Sequence, residues 1–231
     1  MKTDDLHVLD NPLWCSLTTI HKQYACGHGT VLRAAPEVLP YFAMENPAKD
    51  QLSRIIPWLS AGEHLSILGS APDVIPEGLT LDYKLDLYQM IADRNELSPQ
   101  DQDAGMQQTY DGDEILAMKK DVGTGYFQPG TIKLGRFFGF RENNELIAVA
   151  GERLKLPGFT EISTVYTNPE YRGKGYASKL VTHIHNLNLK EGNRSFLQVA
   201  KTNVAAIKLY EKLGFRIRTT FSVQSFSLAA T

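Results

Sequence analysis

Two stretches of the chain carry residue types at spacings that can do chemistry. The first is Tyr166-Thr167-Asn168-Pro169-Glu170-Tyr171-Arg172-Gly173-Lys174-Gly175-Tyr176-Ala177, which joins a strand end, a glycine-bearing turn and a helix start. Pro169 has no N–H to give a ladder, and Gly173 and Gly175 open dihedrals closed to other residues. The unpaired N–H groups of the turn and the first helical turn then converge on an anion, and the helix dipole adds to the attraction. Arg172 and Lys174 supply further positive charge. That is phosphate-binding geometry, although Arg-Gly-Lys-Gly alone also suits a solvated basic turn.

These residues need elements to hold them. Phe159 to Thr167 is rich in Ile, Val, Thr and aromatic side chains and predicts a strand, with Phe159, Glu161, Ser163, Val165 and Thr167 on one face. From Ala177 apolar residues recur at helical spacing through Leu180, Val181 and Ile184. Ser195 to Ala200 predicts the next strand, and Asn203 is placed to cap a helix running to Leu213, where Gly214 stops it. Residues 132–140 and 146–154 predict a hairpin around Arg141-Glu142-Asn143-Asn144-Glu145. Phe215 to Phe221 and Ser222 to Leu228 predict a terminal hairpin. Asp113 to Lys120 predicts a helix, followed by an irregular loop carrying Tyr126 and Phe127 that can line a substrate site. Helix, hairpin, strand, helix, strand, helix and strand pair make an α/β order without the repeated βαβ of a dinucleotide domain.

Residues 11 to 62 read mainly as helices, including short ones at 36–42 and 50–59, with short strands at 64–68 and 79–81 around Ser70-Ala71-Pro72-Asp73. The polar stretch Arg94 to Gln108 marks a boundary between an N-terminal region, 1–110, and a second domain, 111–231.

Composition restricts the functional classes. Hydrophobic residues at 42% and charged residues at 22% of 231 describe a globular chain with a sizeable core. The formal charge of −2 hides an asymmetry: residues 1–110 hold 15 acidic against 7 basic side chains, and residues 111–231 hold 11 against 17. An anionic cofactor is drawn to the second half, while no basic, aromatic stripe suggests nucleic acid. The N-terminus lacks the order of a signal peptide and no apolar run approaches a membrane span, so the cytoplasm is the expected compartment. Cys15 and Cys26 are expected to be reduced thiols, and His183 and His185, two apart on a helix, do not make a metal site.

The second chemical stretch is Val199-Ala200-Lys201-Thr202-Asn203-Val204-Ala205-Ala206-Ile207-Lys208-Leu209-Tyr210-Glu211-Lys212-Leu213-Gly214-Phe215. In this order and spacing the two stretches resemble the GNAT superfamily of acyl-coenzyme A dependent N-acyltransferases, over residues 113 to 231. The resemblance implies a mixed sheet flanked by helices, with the N-terminal region as an addition. It implies that Arg172, Gly173, Lys174, Gly175, Tyr176 and Ala177 wrap the coenzyme A pyrophosphate, and that Val165, Tyr166 and Thr167 pair with the pantetheine arm. It further implies that Asn203 contacts pantetheine or caps its helix. Tyr210 either donates a proton to the departing thiolate or packs as an interfacial aromatic. Glu161 has two implied roles as well, general base toward the attacking amine, or positioning and charge balance for Arg153.

The expected activity is direct transfer of an acyl group, most simply acetyl from acetyl-CoA, to a primary amine on a small molecule or protein. The alternative is a silent acyl-CoA binding or sensing module. The N-terminal region is expected to help form the acceptor pocket, as an accessory or a degenerate second copy of the fold.

Overall fold

The computed structural model describes residues 6–47, 52–69, 74–95, 97, 105–119 and 127–228. The strands are β1 Ala25–His28, β2 Val31–Ala34, β3 Tyr41–Met44, β4 His64–Leu68, β5 Leu79–Ala92 and β6 Met106–Thr109, then β7 Phe137–Glu142, β8 Glu145–Leu156, β9 Phe159–Thr167, β10 Arg194–Ala200 and β11 Phe215–Leu228. The α-helices are α1 Pro12–Thr18, α2 Gly112–Met118, α3 Tyr176–Lys190 and α4 Val204–Lys212. Among the described residues all strands join one mixed sheet, in the order β1-β2-β3-β4-β11-β5-β10-β9-β8-β7-β6.

This order has an internal symmetry. Outward from β5 lie β10, β9, β8 and β7, paired in turn antiparallel, parallel, antiparallel and antiparallel. Outward from β11 lie β4, β3, β2 and β1, and the series of orientations repeats. The long strands β5 and β11 form the middle, each lying between its partner and the other half of the sheet.

Alternation along the middle strands divides the core in two. On one face Leu87 and Ile91 of β5 and Phe196 of β10 pack with Leu13 and Leu17 of α1. On the other, Met90, Ala92, Leu197 and Val199 meet Leu180, Val181 and Ile184 of α3 and Tyr210 of α4. Burying each of these larger apolar side chains contributes about 1.5–3 kcal/mol. No helix among the described residues is long and apolar enough to cross a membrane.

The sheet flanked by helices matches the expected class, and β9, β10 and α4 lie within a residue of their expected spans. Four local expectations need correction. Residues 36–42 are not helical: a turn leads to Pro40, which cannot continue a helix, and buried Tyr41 and Phe42 open β3. Residues 129–134 form a 3-10 helix, so the first hairpin strand begins only at Phe137. The expected terminal hairpin is one strand of 14 residues, because β11 runs the whole length of β5 and takes up its irregularities as register shifts. Leu79 to Leu81 is the start of another 14-residue strand. The 70–73 turn, Tyr126 and most of the 94–108 stretch lie outside the described residues, although Met106–Thr109 forms β6. Phe127 is buried against Phe137 at 6.0 Å, a core residue rather than a cleft wall. The β7–β8 turn places Asn143 and Asn144 at φ 49° and 68°, the left-handed conformation that asparagine tolerates in tight hairpins.

Candidate active site

The site begins where two parallel strands part. β9 and β10 keep register only over Phe159 to Glu161 against Arg194 to Phe196. Beyond that, β9 has an open edge over Ile162 to Thr167, while β10 stays paired to β5 through Ala200.

A bulge sits on the open edge. Thr164 has φ 57°, uncommon for a β-branched residue, and the ladder to β8 passes from Ser163 opposite Gly151 to Tyr166 opposite Val149. Thr164 and Val165 therefore oppose one residue, which switches the faces of the strand. Phe159 lies on the α1 face, whereas Ile162 and Val165, three apart, both pack on the α3 face. The expectation that Glu161 and Val165 share a face is corrected by that extra residue.

On the α3 side a groove of about 610 Å³ runs along Val165, Tyr166 and Thr167 to Arg172, Gly173, Gly175, Tyr176 and Ala177. Gly173 and Gly175 adopt φ 79° and 83°, and Gly175 is the N-cap of α3. The Lys179 N–H donates to Gly175 O at 3.1 Å, so the N–H groups of Tyr176, Ala177 and Ser178 precede the helical ladder and remain as donors at its positive end. Both glycines are needed for dihedrals rather than space, since a Cβ at either would meet nothing within 4 Å. Arg172 is tied back through its Nε–H to Thr167 O at 3.2 Å. Lys174 lies over the Tyr171 ring at 4.9 Å and is absent from the groove wall, leaving the main chain as the principal contact there. The buried Thr167 Oγ1 has no hydrogen-bond partner among the described residues. This donor-lined cradle fits a diphosphate and the arm attached to it.

On the opposite side a cleft of about 270 Å³ is walled by Arg153, Ser163 and Gln198, by Lys119 after α2, and by Tyr41, Leu68 and Leu87 of the N-terminal half. Groove and cleft share Val165, Tyr166, Asn203 and Tyr210 as walls, so these four stand at the junction. Asn203 Oδ1 accepts from the Ala206 N–H at 3.2 Å, which makes it the α4 cap as well as a junction residue. Tyr210 is 6% exposed, and burial raises its phenol above the usual range, so the group stays protonated and able to donate. It also meets Phe215 at 6.0 Å, so the packing role is present too.

Glu161 is placed elsewhere. It is fully buried and outside both cavity walls, accepting from Arg153 Nε at 2.9 Å, Arg153 Nη2 at 2.7 Å and the Leu154 N–H at 3.3 Å. A carboxylate so engaged has no clear path to an amine, and the base role expected for it does not fit this geometry; balance of Arg153 does. Burial pushes the Arg153 guanidinium down, and Glu161 more than offsets that, keeping it charged. Among the described residues no carboxylate supports Lys119 in this way: burial first, and the charge of Arg153 second, lower it to about 8. Sequence reasoning missed Lys119, Arg153 and Gln198 as cleft residues, since no motif contains them and they meet only through the bulge and the parting of β9 from β10.

Elsewhere, His185 is buried with Nε2 at 3.1 Å from Asn95 O, and His183 packs edge-on against Phe138 at 4.6 Å. Cys15 is half-buried and Cys26 exposed, both as free thiols.

Comparison with known proteins agrees with this geometry. The FR47-like protein family matches residues 137–223. A crystal structure of a GNAT-family protein from Novosphingobium aromaticivorans DSM 12444 superposes with TM-score 0.87 at 30% identity, covering 97% of this chain and all of that one. The chain belongs to the GNAT family. The uncharacterized N-acetyltransferase YobR of Bacillus subtilis (strain 168) is 34% identical over 80 residues, which are 34% of this chain and only 32% of that protein's length. A GCN5-related N-acetyltransferase from Kribbella flavida shares the fold at TM-score 0.56 and 14% identity over 97% of this chain. Fold and relatives together support acyl-CoA dependent acyl transfer as the general activity.

Proposed function

We propose that the protein is an N-acetyltransferase that moves acetyl from acetyl-CoA directly to a primary amine. The observation that carries this is the buried Tyr210, its phenol pKa raised by burial, on the wall shared by the glycine-turn groove and the smaller cleft. When bound, the thioester supplies the electrophile. The amides at the start of α3 hold the diphosphate, and the open edge of β9 takes the pantetheine arm as a missing strand. The Val165 N–H, taken out of the β8 register by the bulge, donates a hydrogen bond to the acyl oxygen as negative charge develops on it. Tyr210 donates its proton to the departing sulfur, and the proton that the amine loses as the amide forms, carried through water, restores the phenol. Neither thiol is needed as a nucleophile, so the amine attacks directly.

The N-terminal region, 1–110, acts as a degenerate second copy of the fold serving 111–231. The repeated strand orientations about β5 and β11 support this, as does its provision of Tyr41, Leu68 and Leu87 to the acceptor cleft.

Calorimetric titration with acetyl-CoA, followed by a primary-amine panel scored by thiol release and product mass, tests the proposal. Binding with amine-dependent thiol release is expected. Binding without turnover on any amine would leave only the sensing module, and no binding would refute both.

A further inference from the structure

The acceptor cleft carries an unusual charge and hydrogen-bond pattern. Among the described residues its walls contain two cations, Lys119 and Arg153, and no carboxylate. Arg153 is neutralised from behind by Glu161. Lys119 is not: its ammonium lies 5.5 Å from the Phe127 ring centre, and among the described residues no carboxylate pairs with it. The result, among the described residues, is one partly desolvated positive charge with no carboxylate partner, on the wall of a cavity that adjoins the acyl-transfer junction. A site of this kind repels a cationic acceptor and attracts an anionic one.

Gln198 supplies a second, independent observation. It lines the same cleft, and among the described residues both its Oε1 and its Nε2 are buried without a hydrogen-bond partner. An unpaired buried amide of this sort asks for one donor and one acceptor from whatever fills the space. A primary amine donates to Oε1, and an oxygen beside it accepts from Nε2. The volume of about 270 Å³ lies just below the range of about 300–1,000 Å³ usual for drug-sized ligands, which favours a compact molecule. Leu68, Leu85 and Leu87 give its non-polar part an apolar wall.

From these features we infer that the acceptor is a small amino acid-class compound, a primary amine with a carboxylate close by, whose carboxylate pairs with Lys119 and whose amine is held at Gln198. The inference rests on the acyl-transfer reading of the junction and adds the chemical class of its second substrate. Lys119 and Gln198 are then the specificity residues. Lys119 reaches the cleft from the end of α2 and Gln198 from β10, two separate elements, so in this reading each takes one end of a short molecule.

The test uses matched ligands: alanine, phenylalanine and leucine against their amides and their decarboxylated amines. Binding to the CoA-saturated protein is measured by calorimetry, and turnover with acetyl-CoA by thiol release. The carboxylate member of each pair is expected to bind about 10–100-fold more tightly. Lys119→Met should bring each pair within about threefold of each other and Lys119→Arg should keep the preference, a contrast a merely structural lysine would not give. Gln198→Leu should weaken amino acid and amide alike. Unchanged affinity for CoA in all three variants certifies their fold. Amides or plain amines bound as well as the acids, a preference that survives Lys119→Met, or no binding by any ligand overturns the inference. Turnover of amines without carboxylate preference sinks this inference and leaves acyl transfer standing; Lys119-dependent carboxylate binding with no thiol release refutes acyl transfer, and with it the acceptor role, while leaving the carboxylate recognition itself intact.

Discussion

Replacing Glu161 by glutamine separates the two roles that a carboxylate on β9 can play. In the structure Glu161 is 0% exposed, Arg153 is 8% exposed, and two hydrogen bonds of 2.9 and 2.7 Å join them. Breaking such a buried pair typically costs about 3–5 kcal/mol, because the remaining charge is stranded. Glutamine keeps one carbonyl for the guanidinium, so the lower end, about 3 kcal/mol, is expected. For a chain of this size each kcal/mol lowers Tm by about 2–4 °C, giving a fall of roughly 6–12 °C in differential scanning calorimetry. Well below that Tm, kcat/KM for acetyl-CoA and the acceptor should stay within about threefold, with the pH–rate profile unmoved. Loss of a general base instead removes about 10²–10⁴ in rate. Arg153→Met combined with Glu161→Leu removes both charges and should return most of the lost stability. A Glu161→Gln protein with unaltered Tm and a hundredfold loss of kcat would refute the assignment of Glu161 to Arg153.

Tyr210→Phe should leave CoA affinity and Tm nearly unchanged while lowering kcat about 10²-fold or more, read by thiol release. Gly175→Ala forces a Cβ into left-handed φ with no clash to relieve, so it should cost about 1–2 kcal/mol and weaken CoA binding as the α3 amides turn away. His21 is buried between Ser16 Oγ at 2.9 Å and Leu134 O at 3.0 Å, and burial lowers it to about 4. Its pKa is lower folded than unfolded, so above about pH 6.5 both states are neutral and it adds no pH dependence. As pH falls from about 6.5 to 4 only the unfolded state takes the proton, and about 3 kcal/mol is lost. Urea midpoints should fall across that window, less steeply in His21→Gln. A fragment of residues 111–231 lacks β4 and β5 and should fail to give a cooperative thermal transition.

In the second half β9, β10, α3 and α4 were legible because each has local cause, whereas the single strand β11 was not, its length being set by pairing with β5. Gly173, Gly175, Asn203 and Gly214 occupy turn and cap positions whose dihedrals or side chains impose those ends. The N-terminal half was less legible because β1 to β4 are four or five residues long and owe their pairing to partners far along the chain, such as Val223 with Leu68. The cofactor groove could be read from motif because it is built from one contiguous run. The acceptor cleft could not: Tyr41, Lys119, Arg153 and Gln198 lie on separate elements, and the alternation that should have aimed Glu161 is broken by one residue at Thr164.

That residue joins fold to function. Parting two parallel strands sacrifices hydrogen bonds on both, and the loss is tolerable only if each keeps its other neighbour. β9 keeps β8 apart from the bulge itself, and β10 keeps β5 from Phe196 to Ala200 opposite Ile91 to Leu87. β5 belongs to the first half of the chain and β11 to the second, and each is bonded to the other over most of its length. The N-terminal half therefore does more than wall the acceptor cleft. It supplies the strand against which β10 can stand away from β9, so the opening through which groove and cleft communicate is maintained by both halves at once. The unfavourable backbone at Thr164, about 1–3 kcal/mol in general terms, is sustained by that surrounding sheet. What accompanies it is a pair of residues, Thr164 and Val165, taken out of the β8 register where groove and cleft share Val165 and Tyr210 as walls.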